Sequence, residues 1–317
     1  MIRVSYLITT RNRANYLERT LENVREFIEP QDELIIIDGG STDHTAEIVS
    51  KNQDLVSCFV SENDSGEAHA FNKGLFRARG RFLKPITDDD YFYPEAMRRL
   101  VAALEAAPDV EAIQCGGEVW VMRDGKPCFH SFRCLPPNIP AEGISIFDAT
   151  VIGLGLIVRK AAFEKTGGVS NNYVAVDSDL TCRLIECGCA IRYLDINLYR
   201  WYLHPHSGFN KASAMRRDQL MCAVRLGRWE CAFQQDPKLL AEAVFASQNA
   251  SRTALFEGFW LATRFARPPL RLFIYLGYRF VNAASAILRF VKRPLRRESA
   301  QPAAEARSNH TWTGELR

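Results

Sequence analysis

At 317 residues the chain can bury a full core and suits one large domain, or one domain plus an appendage. Its 47% hydrophobic and 24% charged content is ordinary for a folded globular protein, and a net charge of +3 is too weak to imply nucleic acid. The nine cysteines include no CxxC pair and suggest no zinc site; Cys58 and Cys222, flanked by apolar residues, read as small core residues of a reducing compartment. Met1 leads directly into a strand-like run without the pattern of a signal peptide, so the expected location is the cytoplasm.

The first hundred residues alternate strand and helix patterns. An apolar strand is expected over 2–9, then a helix opened by a capping-box pair, Asn15 and Glu18, with Leu17, Leu21, Val24 and Ile28 on one face. Leu34 to Ile37 is a short β-branched run bounded by Asp38-Gly39-Gly40, as in a central parallel strand. Ser41-Thr42-Asp43 offers caps for a helix through Lys51, Leu55 to Val60 reads as a strand, and a helix follows from about Gly66 to Arg77. Arg81 to Ile86 reads as the next strand, and Pro94 as the first turn of a helix that buries Met97, Leu100, Val101 and Leu104. Repeated units of this length predict an α/β fold with a doubly wound, mostly parallel sheet, in which ligands lie beyond the carboxyl ends of the strands. The segments at those ends hold the informative polar residues: 9–12, 38–40, 61–65 and 88–90.

Asp88, Asp89 and Asp90 are the strongest chemical signal. Adjacent carboxylates repel and raise one another's pKa unless a cation sits among them, and Mg²⁺ or Mn²⁺ prefers such oxygens while keeping positions open for phosphate. A solvated acidic turn is the other reading. Farther on, Gly116-Gly117, Pro136-Pro137 and Pro140 break short strands, a helix is expected over Asp177–Cys187, and a strand over Ala190–Ile196. From about Ala212 the pattern is helical and increasingly basic, and the last twenty residues have too little apolar content to fold.

Over roughly residues 2–210 the chain resembles a family 2 glycosyltransferase of the GT-A fold, of the bacterial surface-polysaccharide type. The matching pieces are Thr9 to Arg13, Ile37 to Asp43, Ser61 to Gly66 with Asn72-Lys73-Gly74, Asp88 to Asp90 followed by Tyr91 to Pro94, and Gly167-Gly168 ahead of Val176 to Leu180. The resemblance implies a catalytic domain over 1–210, a helical basic extension over 211–297 and a tail over 298–317. It implies a nucleotide-sugar site formed by Thr10, Arg13, Asp38, Asp64, Gly66, Lys73, Asp88 and Asp89. Asp38 would bond the nucleotide base, with a helix cap as the alternative; Arg13 would reach the base or a phosphate and Lys73 a phosphate, unless they are ordinary surface cations. Asp89, Asp90, His204 and His206 would hold Mg²⁺ or Mn²⁺, although histidines flanking a proline also occur in plain loops. Either Asp88-Asp89 or Asp89-Asp90 is the family pair, and the Asp88-x-Asp90 spacing also places two carboxylates on one face of an extended segment.

Asp177 is the candidate general base, with a helix-capping role as the alternative. The positive helix end lowers a carboxylate pKa, so a base there needs an opposing influence, and Asp179 or the donor phosphates offer one by like-charge repulsion. Three positions depart from the family pattern: His69 stands for the usual aspartate, Asn63 for a frequent proline, and Val176 for the first member of a Glu-Asp pair. His69 and Val176 keep open a catalytically silent nucleotide-sugar-binding subunit of a membrane polysaccharide assembly. The reaction implied is an inverting, metal-dependent transfer from a nucleotide-sugar, a UDP-sugar by family weight, to a saccharide or polyprenyl-linked acceptor. Arg271, Arg279, Arg289, Lys292 and Arg293 fall within about 140° of arc on a helix of roughly 100° per residue. Residues 270–297 thus read either as a peripheral contact with the inner face of the membrane or as a helical cap with a solvated basic edge.

Overall fold

The computed structural model describes residues 1–123, 126–133 and 153–204, with 214, 215, 218, 219, 222 and 313–315. His206, the prolines at 136, 137 and 140, and the basic segment 270–297 lie outside the described residues.

Strands β1 (Val4–Thr10), β2 (Glu33–Asp38), β3 (Cys58–Ser61) and β4 (Phe82–Ile86) form the parallel half of the sheet. Helices α1 (Ala14–Arg25), α2 (Thr45–Lys51) and α3 (Glu67–Arg77) connect them. The chain continues through β5 (Tyr91–Phe92), α4 (Pro94–Ala106), β6 (Ala112–Arg123), β7 (Lys126–Arg133) and a 3₁₀ turn at Gly153–Gly155. It then forms β8 (Leu156–Arg159), α5 (Lys160–Thr166), α6 (Val176–Glu186) and β9 (Ile191–Leu203). The sheet runs β3-β2-β1-β4-β8-β6-β9-β5, with β7 beside β6. Beyond β4 it turns mixed: β8 is antiparallel to β4 and β6, whereas β6 and β9 are parallel.

The period-2 alternation of the strands divides the core between the two faces of the sheet. Tyr6, Ile8, Leu34 and Ile36 pack with Leu17, Leu21 and Val24 of α1 and Met97, Leu100, Val101 and Leu104 of α4. Leu7, Ile35 and Ile37 face the other way, toward Phe71 and Leu75 of α3, Phe163 of α5 and Leu180 and Leu184 of α6. The continuous apolar run of β2 follows from burial on both faces.

Several sequence expectations shift. Helix α1 begins at Ala14, so Asn15 lies inside it; its first amide is bonded from a distance, the Ala14 N–H donating to Asp43 Oδ2 at 3.0 Å. Ser41 and Thr42 cap no helix, while Asp43 Oδ1 accepts the Thr45 N–H at 3.1 Å. Strand β6 runs through Gly116 and Gly117 rather than breaking there. A Cβ at Gly117 would overlap the Tyr199 ring, so the glycine serves close packing. Strand β9 extends to Leu203, seven residues past the expected end, because β6 supplies a partner along almost its whole length. In the segment expected to stay unfolded, Thr313 donates its amide and hydroxyl to Asp195 Oδ2 at 3.0 and 2.8 Å. Cys222 is buried and Cys58 half-buried.

Candidate active site

Register alone places the first components. Thr10 pairs with Asp38 across β1 and β2, and Ile8 with Ile86 across β1 and β4, so the carboxyl ends of the three strands open onto one edge. Asp88 follows two residues after β4, and the Thr10 hydroxyl donates to its Oδ2 at 2.7 Å. Strand β5 then pairs antiparallel with β9, Tyr91 opposite Arg200. That pairing brings the end of β9 back to the acid cluster: the Tyr202 N–H donates to Asp90 Oδ1 at 2.8 Å, and His204 Nε2 lies 3.0 Å from Asp89 Oδ2. The Tyr16 ring stacks on His204 with centroids 4.8 Å apart.

The three aspartates have different surroundings. Arg13 pairs with Asp88 at 2.8 Å through one nitrogen and closely with Asp89 through the other. Burial pushes the Asp88 carboxyl up to about 7 against the pull of Arg13. Asp90 is buried; burial and the neighbouring Asp89 raise its pKa, and the Thr87 hydroxyl donates to its Oδ2 at 2.6 Å. Its two oxygens thus tie β4 to β9. Among the described residues no group of three or more His, Cys, Asp or Glu is placed to hold a metal ion.

A cavity of about 470 Å³ opens at this edge. Thr10, Arg13, Asp64, Gly66 and all three aspartates line it, and Asp177 lines it too. Asp177 sits in the first turn of α6, where Oδ1 accepts the Ser178 N–H at 2.8 Å and Oδ2 the Gly153 N–H at 3.1 Å. Its pKa is raised by burial, against the lowering pull of those amides. Desolvation, rather than like-charge repulsion from Asp179, is therefore the influence that opposes the helix field. Asp179 instead receives Arg183 and the Ser170 N–H, at 2.8 and 2.7 Å.

Two expected members stand apart. Asp38 is 1% exposed and does not line the cavity. Its carboxylate accepts the Ser41 amide and hydroxyl and, at 2.6 Å, the Ser61 hydroxyl, so it holds the turn after β2. Lys73 reaches Glu62 at 3.0 Å and the Asn63 carbonyl at 3.3 Å, outside the cavity lining. Asp64 Oδ1 accepts the Gly66 N–H at 3.0 Å, and Gly66, at φ 130°, adopts backbone that other residues rarely take.

Sequence reasoning missed Trp201, Gly153 and Leu154 in the cavity wall. Trp201 was hidden because its segment was expected beyond the strand. Gly153 and Leu154 carry no polar side chain that would mark them in the sequence.

A strand-order switch, a mixed second half and strand-end carboxylates around one cavity define a GT-A fold. Residues 5–131 match the model described as Glycosyl transferase family 2. An uncharacterized glycosyltransferase of Rickettsia prowazekii is 24% identical over 172 residues, 52% of each chain. The structure of Staphylococcus aureus TarS 1–349 in complex with UDP-GlcNAc superposes with a TM-score of 0.59 at 18% identity, covering 81% of each chain. The mannosyltransferase PcManGT from Pyrobaculum calidifontis, in complex with GDP-Man and Mn²⁺, gives 0.53 at 21% identity, covering 93% of this chain and 88% of that one. Together these matches show similarity to family 2 glycosyltransferases over residues 5–131 and, over most of the chain, a fold shared with the two solved structures. The chain spans about half or less of the length of the curated relatives it matches.

Proposed function

We propose that the protein is an inverting, metal-dependent glycosyltransferase that moves a sugar from a nucleotide-sugar to a hydroxyl of a saccharide or lipid-linked saccharide. The observation that carries this reading is that two carboxylate groups line one cavity: the Arg13-bound Asp88–Asp89 pair and the half-buried Asp177. The likeness to TarS and PcManGT, whose structures hold UDP-GlcNAc and GDP-Man, supports a nucleotide-sugar as donor.

Asp177 takes the proton from the acceptor hydroxyl as its oxygen forms a bond to the anomeric carbon. The bond from that carbon to the diphosphate oxygen breaks, and the nucleoside diphosphate leaves with the electron pair. Displacement from one side inverts the centre. A pKa raised by burial suits Asp177 to the task, since a general base works best when poised near the operating pH. Arg13 holds Asp88 and Asp89 in place.

The donor chemistry at Asp89 and His204 fits Mg²⁺ or Mn²⁺: a carboxylate oxygen and an imidazole nitrogen lie 3.0 Å apart, and these two residues would hold the ion. A bound divalent ion would supply charge to the departing diphosphate. The test is release of nucleoside diphosphate across a panel of nucleotide-sugars, with and without Mn²⁺, from wild type, Asp89→Ala and Asp177→Asn. Release that needs Mn²⁺ and disappears in both variants is expected. Tight nucleotide binding with no release on any donor and acceptor would instead describe a silent binding subunit.

A further inference from the structure

Lys84 is a charged residue that the reaction does not use. It lies in the middle of β4 with 0% exposure. Its Nζ donates to the Leu154 carbonyl at 2.6 Å and to the Pro85 carbonyl at 2.9 Å, and it sits 4.9 Å from the centre of the Phe92 ring. No carboxylate accompanies it among these contacts. Burying an ammonium without a counter-ion costs several kcal/mol, offset here only by its two carbonyl bonds and the Phe92 ring.

What those bonds hold is the 3₁₀ turn Gly153–Gly155. Leu154 is the middle residue of the turn, and the N–H of the residue before it, Gly153, donates to Asp177 Oδ2 at 3.1 Å. The turn is wedged from the other side as well. A Cβ at Gly155 would overlap the Gln114 side-chain amide and the Cys115 carbonyl of β6, so only glycine lets the turn lie this close to the sheet. One clamped carbonyl and one tight backbone contact thus fix the amide that orients Asp177.

We infer that Lys84 is a positioning residue for Asp177, acting through the Leu154 carbonyl and the Gly153 amide. The inference rests on the reading of Asp177 as general base. The groups facing the Asp177 carboxylate are the Gly153 and Ser178 amides, its own backbone amide and the Ser178 side chain; Lys84 faces Cys115, Phe92 and the two carbonyls.

Lys84→Met keeps the bulk of the stem and removes the donor. Loosening the turn withdraws a hydrogen bond that favours the charged carboxylate. The acid limb of the kcat/KM profile therefore moves up by roughly 0.5–1 pH unit, as expected for one lost bond of this kind. Misplacement of the base lowers kcat by about tenfold or more, with KM for the nucleotide-sugar unchanged within about twofold. Gly155→Ala displaces the same turn while leaving the Lys84 charge in place. An equal shift in both variants assigns the effect to the turn and not to loss of a nearby charge. A folded Lys84→Met, or a folded Gly155→Ala where the first does not fold, with wild-type acid limb and kcat overturns the inference. A limb shifted in Lys84→Met but not in folded Gly155→Ala overturns it too. Asp177→Asn, run alongside, separates the two readings: full turnover there removes the base and the inference with it. Lost turnover there, with unshifted limbs in the other two, removes only the role of Lys84.

Discussion

The Arg13 guanidinium stands 2.8 Å from Asp88 and bridges to Asp89, so the acid corner carries its own cation. Asp88 is 3% exposed at its side chain and Arg13 24%, so the pair is only partly shielded from water. Arg13→Met leaves the buried carboxylates facing one another with no protein cation between them. A loss of about 1–3 kcal/mol in unfolding free energy is expected, discounted for the exposed guanidinium. Added Mn²⁺ should then raise the melting temperature of the variant more than that of wild type, because the ion replaces the missing charge. Equal Mn²⁺ shifts in the two proteins, read by thermal denaturation, would show that Arg13 and the metal do not share this corner.

The pH dependence of turnover follows from Asp177. Burial raises its folded-state pKa, and the base must be ionised to accept a proton. Activity is therefore lost as pH falls through a value above the ordinary carboxylate range. A rate profile whose acid limb lies at the pKa of an unperturbed aspartate would contradict the assignment. Asp177→Asn, of nearly the same shape, should lower kcat by about 10²–10⁴ while binding the nucleotide-sugar as well as wild type. Isothermal titration alongside single-turnover kinetics reads both quantities.

How far the site could be read from the sequence depended on whether a residue's role lies in its side chain or in its neighbours. Asp88 to Asp90 and Asp177 were legible because three adjacent carboxylates and an acid at a helix start are chemical signals even against their plain readings as an acidic turn and a cap, and the cavity does unite them. The parallel half of the sheet was legible for a similar reason, since alternating strand and helix runs admit few topologies. The long β9 was not, because pairing with β6 across seven further residues is a tertiary fact with no local signature. In Asn72-Lys73-Gly74, the Asn72 amide bonds the Val169 backbone at 2.8 and 2.9 Å, and a Cβ at Gly74 would overlap Leu7. Both are packing positions. Lys84 read as an ordinary strand residue, because nothing in the sequence announces that the Leu154 carbonyl lies against it.

Asp38 tests that same distinction. The family resemblance gives it the nucleotide base, whereas its carboxylate is engaged by Ser41 and Ser61. Asp38→Ala orphans these donors and should cost about 2–3 kcal/mol of stability without any ligand present. Nucleotide affinity is then expected to fall with the loosened turn. Urea unfolding of the free protein decides the matter. Unchanged stability with lost affinity would return Asp38 to direct contact with the base.

Burial of Lys84 also leaves a mark on stability. Desolvation lowers its pKa to about 7, against 10.5 for a free lysine. The unfolded chain therefore binds more protons than the folded one between pH 7 and 10.5, and the stability of the wild type rises with pH across that window. Below about pH 7 both states carry the proton, and the full penalty of the buried charge is present. Lys84→Met removes this dependence while leaving the Leu154 carbonyl without its donor. The stability difference, Lys84→Met minus wild type, should thus shift against the variant as pH is raised from 7 to 9.5. Urea midpoints of the two proteins at the two pH values measure the change directly. A difference that stays constant would mean that Lys84 keeps its free-solution pKa in the fold.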